Sequence, residues 1–320
     1  MSVPNPIQPF LNHQDALILD GGLATELEAR GCDLSDELWS ARLLLENPDL
    51  IRKIHLDYYD AGADCCISAS YQATIPALMR RGLSDDAAVA LLRLSVRLVI
   101  EARDQFWAEP ANRERRLRPI VAASIGPYGA ALADGSEYTG DYDLDEDGLV
   151  EWHRRRWHIL AESGADLLAC ETIPSHRECR ALKQLLAETP QMPAWFSFSC
   201  RDGGRIQDGT PIAECAALLD DVEQVVAVGV NCTPPRFIHS LIQTVRSVIK
   251  KPIIVYPNSG EAYDVTRRQW QGESVPAEFG TYSREWRKEG AAIIGGCCRT
   301  GPAHIRQIAD RMRRGDRVTR

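Results

Sequence analysis

The sequence lacks the segments that would anchor, export or divide the chain. It has no apolar run of about 18 residues, so nothing in it predicts a membrane-spanning helix. Its first residues, MSVPNPIQPF, have neither the basic start nor the continuous apolar stretch of a secretory signal. No Pro/Ser-rich linker and no low-complexity segment interrupts it. We therefore expect a cytoplasmic protein with one domain over residues 1–320.

Positive charge and histidine are also in short supply. The chain has 37 Lys and Arg against 45 Asp and Glu, a formal net charge of −8 and a pI near 5.5. Such a chain repels phosphate backbones, which argues against a nucleic-acid partner. The seven histidines show no metal-ligand spacing, and His55 falls in a helical pattern where we interpret it as a core or surface residue. The sequence leaves the oligomeric state undetermined.

Cysteine, by contrast, is abundant, with ten residues. In a reducing compartment they do not predict a disulfide framework, and most are expected to be small buried side chains. Cys65 and Cys66 are adjacent inside an apolar run, where they alternate to opposite faces and are interpreted as packing residues. We interpret five more as packing or surface residues: Cys32, Cys170, Cys179, Cys200 and Cys215. This leaves Cys232, Cys297 and Cys298 as candidate ligands or nucleophiles.

Short apolar runs alternate with amphipathic stretches along the whole chain. The runs are 16–20, 63–71, 119–127, 165–174, 194–200, 225–232, 252–260 and 291–298. Their nearly continuous apolar character is typical of parallel strands covered on both faces. The stretches between them have helical periodicity, with a cap at Ser84 and a stop at Gly62. Eight such units predict a single (β/α)8 TIM barrel of the α/β class; a doubly wound open sheet is the alternative.

Polar or conformationally permissive residues follow each apolar run. In a barrel the C-terminal ends of the strands meet at one rim, where active sites lie. The candidate substrate-binding residues on this rim are Asp20, Gly21, Tyr71, Glu171 and Asn258. Asp20 and Glu171 could be turn or cap residues, but together they would also bind a substrate ammonium group. The acidic segment 133–148 is either a solvated connector or a lid over this rim.

Cys297 and Cys298 are adjacent and follow two glycines at the end of the last apolar run. Glycines allow the backbone to approach a ligand closely. Cys232 ends another run and can supply a third thiolate across the barrel mouth. Three protein ligands with one open position are typical of catalytic zinc, and soft thiolates favour zinc over magnesium or calcium. A strained vicinal disulfide is the alternative interpretation.

With these residues in place, the chain resembles the homocysteine S-methyltransferases, in particular the branch that uses S-methylmethionine or S-adenosylmethionine. The segments that carry the resemblance are 20–34, 38–51, 67–74 (ISASYQAT), 123–130, 171–174 (ETIP), 229–235 (GVNCTPP), 257–261 (PNSGE) and 295–298 (GGCC). They are spread over nearly the whole chain. The GVNC and GGCC pair at this separation is the specific part of the match.

The resemblance implies a barrel with one Zn²⁺ held by Cys232, Cys297 and Cys298. It implies that Asp20 and Glu171 help to hold homocysteine. A side-chain oxygen is expected in the fourth zinc position when substrate is absent, with Asn258 the first candidate and Tyr71 the second.

The implied reaction is methyl transfer from a sulfonium donor to the thiol of L-homocysteine, which gives methionine. Little chain follows Cys298, so we expect no separate folate or cobalamin domain and a donor small enough for the barrel mouth. A sulfonium could lie against Tyr71, Tyr128 or Tyr138. Betaine or another methyl donor, and a non-catalytic zinc or thiol barrel, remain the alternatives.

Overall fold

The computed structural model describes residues 3–33, 40–114, 116–132, 134–264, 269–271 and 274–313. Within them, eight parallel strands and their helices form the single (β/α)8 TIM barrel that the sequence predicts. The barrel strands are β1 (Leu17–Ile18), β2 (Cys65–Ile67), β3 (Ile120–Ile125), β4 (Leu167–Ile173), β5 (Ala194–Phe198), β6 (Val225–Asn231), β7 (Ile253–Tyr256) and β10 (Ala291–Ile294). Between β7 and β10, β8 (Ala262–Asp264) pairs antiparallel with β9 (Gln269–Gln271), a hairpin that the apolar pattern does not predict.

The barrel closes between its first two strands. The strands are hydrogen-bonded in the order β1-β10-β7-β6-β5-β4-β3-β2, which leaves β1 and β2 at the two ends. A parallel bridge between Leu19 and Cys65 joins these ends and completes the ring. A ring has no free sheet edge, so the doubly wound open sheet is the wrong alternative.

Strand alternation divides the core into an inner and an outer layer. Leu17 and Leu19 belong to the cluster inside the barrel, whereas Ile18 between them packs against the surrounding helices. Cys65 lies in the inner cluster and Cys66 in the outer one, which confirms the packing interpretation of this adjacent pair. Both faces of each strand are thus buried, and this explains the nearly continuous apolar runs.

The helices cover the outside of the barrel. They are α1 (Gln8–His13), α2 (Leu23–Ala29), α3 (Ser40–Glu46), α4 (Pro48–Ala61), α5 (Ile75–Arg80), α6 (Asp85–Ala108), α7 (Tyr128–Leu132), α8 (Glu146–Ala161), α9 (His176–Glu188), α10 (Ile212–Asp220), α11 (Ile238–Arg246), α12 (Pro276–Glu289) and α13 (Pro302–Arg313). Ser84 caps α6 by accepting a hydrogen bond from the Ala87 amide, and Gly62 ends α4 in the left-handed conformation, as predicted. No helix of the described residues is both long and apolar enough to cross a membrane.

Two helix ends differ from the sequence pattern. The periodicity of α8 suggests an end at Gly164, but the helix stops at Ala161 and the turn follows outside it. The pattern of residues 235–251 predicts a helix with a basic last turn at Lys250 and Lys251, but α11 ends at Arg246 and both lysines lie beyond it. Residues 34–39 lie outside the described residues, and they include the end of one segment that carries the resemblance (20–34) and the start of the next (38–51). Ala133 and the tail 314–320 also lie outside the described residues.

Candidate metal and substrate site

Three cysteine side chains meet at the C-terminal rim of the barrel. Cys232 follows β6, and Cys297 and Cys298 follow β10. Their Sγ atoms all lie within 4.8 Å of one another, and those of Cys232 and Cys298 are 3.7 Å apart. A disulfide needs about 2.05 Å, whereas two thiolates on a tetrahedral zinc ion with Zn–S of about 2.3 Å lie about 3.8 Å apart. The sulfur spacing therefore fits a shared metal ion, and all ten cysteines are free.

The backbone around these cysteines is held in uncommon conformations. In the described part of the chain, the non-glycine residues with positive φ are Thr172 (59°), Cys232 (47°) and Arg299 (64°), each of which is a site cysteine or follows a candidate site residue. Such conformations are disfavoured for residues with a Cβ and persist only where the surrounding structure imposes them. Local strain is thus concentrated at this rim.

The segment after β7 connects the three cysteines to one another. The Cys232 amide donates to Tyr256 O at 3.2 Å, and the Cys297 amide donates to Pro257 O at 2.8 Å. The Ser259 amide donates to Cys298 O at 3.1 Å. Asn258 stands in the middle of this segment, and its amide donates to Thr233 O at 3.1 Å. One short segment therefore fixes the positions of all three thiols.

The glycines before the cysteine pair are required by close packing. A Cβ on Gly296 would lie 2.3 Å from Thr300 Oγ1, and one on Gly295 would lie 2.5 Å from Leu19 Cβ. The Gly296 amide donates to Asp20 O at 3.0 Å, which brings the end of β10 against the end of β1. Any larger residue would push Cys297 away from the rim.

Electrostatics within the thiol cluster favour one thiolate. Hydrogen bonds from Cys232 and then from Cys297 hold the pKa of the Cys298 thiol well below its ordinary value, despite its burial. The remaining two thiols sit beside that negative charge, which opposes their ionisation. A divalent cation would offset this repulsion, because coordinated thiols are deprotonated. The donor set therefore fits a soft divalent metal ion.

Asn258 and Tyr71, the two candidates for a fourth ligand, both lie beside this cluster. Among the described residues, Asn258 Oδ1 is buried and has no hydrogen-bond partner, so it is a free acceptor in the segment that holds the three cysteines. Tyr71 is half-buried, and burial followed by the charge of Cys232 raises the pKa of its phenol. The ring of Tyr71 packs on Gly126, where a Cβ would lie 2.7 Å from Tyr71 Cδ2.

Asp20 is buried next to the thiols at the end of β1. Its Oδ2 accepts a hydrogen bond from the Ile67 amide at 2.9 Å, which links the ends of β1 and β2. Burial, with added repulsion from Glu171 and Cys297, raises the pKa of Asp20 well above its ordinary value. Gly21 has a steric role, since a Cβ there would lie 2.7 Å from Thr300 O. A cationic group near Asp20 would relieve the repulsion.

Glu171 is the second buried carboxylate, and it lies inside a polar network. The Ser124 hydroxyl donates to its Oε1, and the Tyr256 hydroxyl donates to its Oε2 at 3.2 Å. Tyr256 is itself held by Trp195 Nε1–H at 3.2 Å and by Ser197 Oγ at 2.5 Å. Burial nevertheless raises the pKa of Glu171 to about 7, and the charge of Cys297 contributes to this increase. The charge of Cys297 contributes to the raised pKa of both Asp20 and Glu171, so both carboxylates lie near the thiol cluster.

The sequence did not indicate several residues that organise the site. Tyr256 closes the apolar run of β7 and Ser124 lies within that of β3, so both resemble core residues in the sequence. Tyr138, by contrast, is one of the three tyrosines that the sequence offers to a sulfonium, and it lies in the acidic segment 133–148, in a short 3-10 helix (Ser136–Tyr138). The charge of Cys232 is the largest cause of the raised pKa of its phenol, so Tyr138 lies near this thiol.

Comparisons with known proteins agree on one family. The model of the family described as Homocysteine S-methyltransferase matches residues 17–312. The chain is 53% identical over 305 residues to Homocysteine S-methyltransferase YbgG of Bacillus subtilis, covering 95% of this chain and 97% of the relative. It is 48% identical over 313 residues to Homocysteine S-methyltransferase of Escherichia coli, covering 97% of this chain and all (100%) of that one. A crystal structure of the homocysteine methyltransferase MmuM from Escherichia coli, described as the metallated form, superposes with a TM-score of 0.86 at 46% identity and covers 96% of this chain and 100% of that one.

Proposed function

The chain belongs to the homocysteine S-methyltransferase family, and from that premise we propose that it moves a methyl group from a sulfonium donor to L-homocysteine with the help of zinc. The proposed donor is S-methylmethionine first and S-adenosylmethionine second, and the product is methionine. The observation that carries the proposal is the convergence of three thiols within 4.8 Å beside the buried carboxylates Asp20 and Glu171. The ten free cysteines support the expected cytoplasmic location.

Cys232, Cys297 and Cys298 would hold the metal ion, and Asn258 Oδ1 would be available as the fourth ligand without substrate. When bound, zinc would lower the pKa of the homocysteine thiol, which as a free thiol of pKa about 8.5 is mostly protonated at neutral pH. This matters because the thiolate is the nucleophile.

Asp20 and Glu171 would hold the ammonium group of homocysteine. Both carboxylates are buried, and burial is the main cause of their raised pKa values. The pKa of Asp20 is raised well above its ordinary value, and that of Glu171 is raised to about 7. A neighbouring ammonium group favours their ionised forms and forms charge-assisted hydrogen bonds with them. Ser124 and Tyr256 keep Glu171 in one orientation. Substrate held at this end leaves its sulfur directed toward the thiol cluster.

The transfer itself needs little chemistry from the protein. The homocysteine sulfur forms a bond to the methyl carbon, the bond from that carbon to the sulfonium sulfur breaks, and its electron pair remains on the leaving thioether. The thiol proton is lost before this step. The sulfonium already carries a good leaving group, the neutral thioether. The residues of the rim therefore contribute by aligning the two substrates and by excluding water. Tyr71 and Tyr138 lie near Cys232, whose charge contributes to the raised pKa of both phenols.

A donor panel tests the proposal. Homocysteine is supplied with S-methylmethionine, S-adenosylmethionine, betaine or methyltetrahydrofolate, and methionine is measured together with the zinc content of the protein. We expect turnover with S-methylmethionine and less with S-adenosylmethionine. Turnover with betaine or the folate and none with either sulfonium would overturn the donor assignment. Full activity in protein freed of zinc would overturn the metal assignment.

A further inference from the structure

Glu137 is a buried carboxylate in the segment that crosses the rim. It lies in the 3-10 helix Ser136–Tyr138, between α7 and α8. Its backbone packs directly on Gly129, where a Cβ would lie 2.4 Å from the Glu137 nitrogen. Gly135, with φ of 89°, turns the chain immediately before this short helix. These contacts fix Glu137 on the inner side of the segment.

One oxygen of the buried Glu137 carboxylate lacks a hydrogen-bond partner among the described residues. The residue is only 7% exposed, and its Oε2 has no hydrogen-bond partner in the described part of the chain. Burial raises the pKa of Glu137, and the neighbouring charge of Asp134, which is also negative, raises it further. Burial of a charged group without compensation is unfavourable, so buried carboxylates are normally paired with donors or cations. The position therefore fits a cation that comes from outside the chain.

The surroundings of Glu137 connect it to the reaction. Its charge contributes to the raised pKa of two phenols, that of Tyr71 after burial and Cys232, and that of Tyr138 after Cys232 and burial. The segment that follows β3 packs against Tyr71 at Gly126 and against Glu137 at Gly129, and Tyr138 follows Glu137 in the chain. A buried carboxylate and two aromatic residues are therefore neighbours on this side of the rim.

We propose that Glu137, with the side chains of Tyr71 and Tyr138, receives the sulfonium cation of the methyl donor. This inference rests on the proposed function. A sulfonium has no N–H or O–H group, so hydrogen-bond donors and acceptors cannot select it. It can be selected by a negative charge and by aromatic faces, which attract cations. The same site would release the thioether product, because the product has lost the charge.

The positive charge of the donor determines which kinetic constant Glu137 should affect. The donor is fully cationic in the ground state, and its positive charge diminishes as the methyl group leaves. Glu137 therefore stabilises the bound donor at least as much as the transition state, and its removal should raise KM for the donor with little loss of kcat. Homocysteine, held by Asp20 and Glu171, should be unaffected.

The test is Glu137→Gln, which keeps the shape and removes the charge. We expect KM for S-methylmethionine to rise about tenfold or more, as for the loss of a charged partner, with zinc content and homocysteine affinity unchanged. Methionine, measured as an inhibitor competitive with the donor, has the same ammonium and carboxylate but no sulfonium, so its Ki should not change. Asp141→Asn, an exposed change of equal charge in the same segment, is the matched control.

The outcomes separate this inference from the proposed function. If the unmodified protein does not use S-methylmethionine, the proposed donor is wrong, and the inference about Glu137 falls with it. If it does, an unchanged donor KM in Glu137→Gln overturns the inference, as does an equal rise in methionine Ki, which would assign Glu137 to the ammonium group. Tyr138→Leu provides a second test if Glu137→Gln does not fold, because Tyr138 is 45% exposed and is not a core residue. An unchanged donor KM there would also contradict the proposed site.

Discussion

The Asn231 side chain holds Thr172 in its left-handed conformation by two hydrogen bonds. The Thr172 amide donates to Asn231 Oδ1 at 2.7 Å, and Asn231 Nδ2 donates to Thr172 Oγ1 at 2.8 Å. Thr172 follows Glu171, whereas Asn231 precedes Cys232. One side chain therefore connects the candidate ammonium site to the candidate metal site.

This contact predicts a coupled loss in Asn231→Ala. The variant leaves the buried Thr172 amide without a partner, which destabilises the fold by about 1–3 kcal/mol. We expect Thr172 to leave its strained conformation and homocysteine affinity to fall with it, because Glu171 moves. Denaturant unfolding and homocysteine titration measure the two effects.

Thr172→Gly supplies the control for this prediction. Glycine adopts a positive φ without strain, so a chain with Thr172→Gly depends less on the Asn231 side chain. A double-mutant cycle should therefore show that Asn231→Ala is less damaging in the Thr172→Gly background. Strict additivity of the two changes would contradict a positioning role for Asn231.

The metal site predicts a common phenotype for three substitutions. Cys232→Ser, Cys297→Ser and Cys298→Ser should each lose zinc and activity together, because each removes one of three converging thiols. The barrel should stay folded, since the three cysteines lie at the rim and belong to neither hydrophobic cluster, although Cys297 packs against the inner one. Zinc content, circular dichroism and methionine formation measure these outcomes.

Cys32→Ser is the matched control, since Cys32 is a partly exposed free cysteine outside the cluster. It should retain about one zinc ion per chain and normal turnover. Full zinc occupancy with normal turnover in any of the three cluster variants would remove that cysteine from the site.

The sequence predicts the barrel because each element has a local signature. Apolar runs mark the strands, and caps such as Ser84 and stops such as Gly62 mark helix ends. The cysteines and the two carboxylates could also be predicted, since they follow the runs and lie on one rim. The barrel could thus be predicted from local patterns, each no longer than one strand with its connection or one helix.

The network that orients these residues could not be predicted in the same way. The Tyr256 hydroxyl reaches Glu171 across 85 residues of sequence, through a register that no local pattern encodes. In the sequence, Asn231 resembles the polar end of an apolar run. A threonine gives no indication of a positive φ, so the conformation of Thr172 could not be predicted. Glu137 resembles any acidic residue in a polar loop until its burial is seen. Polar partners inside a barrel depend on tertiary register.

Glu171→Gln should weaken homocysteine binding and leave the metal in place. The substitution keeps the shape and removes the charge that would hold the substrate ammonium group. A hydrogen bond to a charged group contributes about 1.5–3 kcal/mol, so homocysteine affinity should fall about tenfold to a hundredfold. Calorimetric titration with homocysteine and a zinc assay measure the two outcomes.

The conservative Tyr256→Phe supplies a graded comparison, since it removes only the hydroxyl that donates to Glu171 Oε2. It should weaken homocysteine binding less than Glu171→Gln does. Unchanged homocysteine affinity in Glu171→Gln would instead assign Glu171 to the structure of the strand end.

His55 should make the fold sensitive to acid. It lies on α4 with 1% exposure, and neither ring nitrogen has a hydrogen-bond partner among the described residues. Burial lowers its pKa from 6.5 to about 3. The unfolded chain therefore binds a proton at this residue between pH 6.5 and about 3, where the folded chain does not. Stability from the neutral ring is present above pH 6.5 and is lost as the pH falls, by about 1.4 kcal/mol per pH unit.

The measurement is the free energy of unfolding at pH 7 and pH 5 for the unmodified chain, for His55→Leu and for the exposed His13→Gln. His55→Leu cannot bind a proton in either state, so its loss of stability over this interval should be smaller by about 2 kcal/mol. His13→Gln should follow the unmodified chain, because His13 is exposed and lies outside the core. An oxygen of Asp20 lies within 4.8 Å of a His55 ring nitrogen. An unchanged pH dependence in His55→Leu would therefore mean that native His55 accepts its proton and pairs with Asp20, so that acid would act on the substrate site and not on the fold.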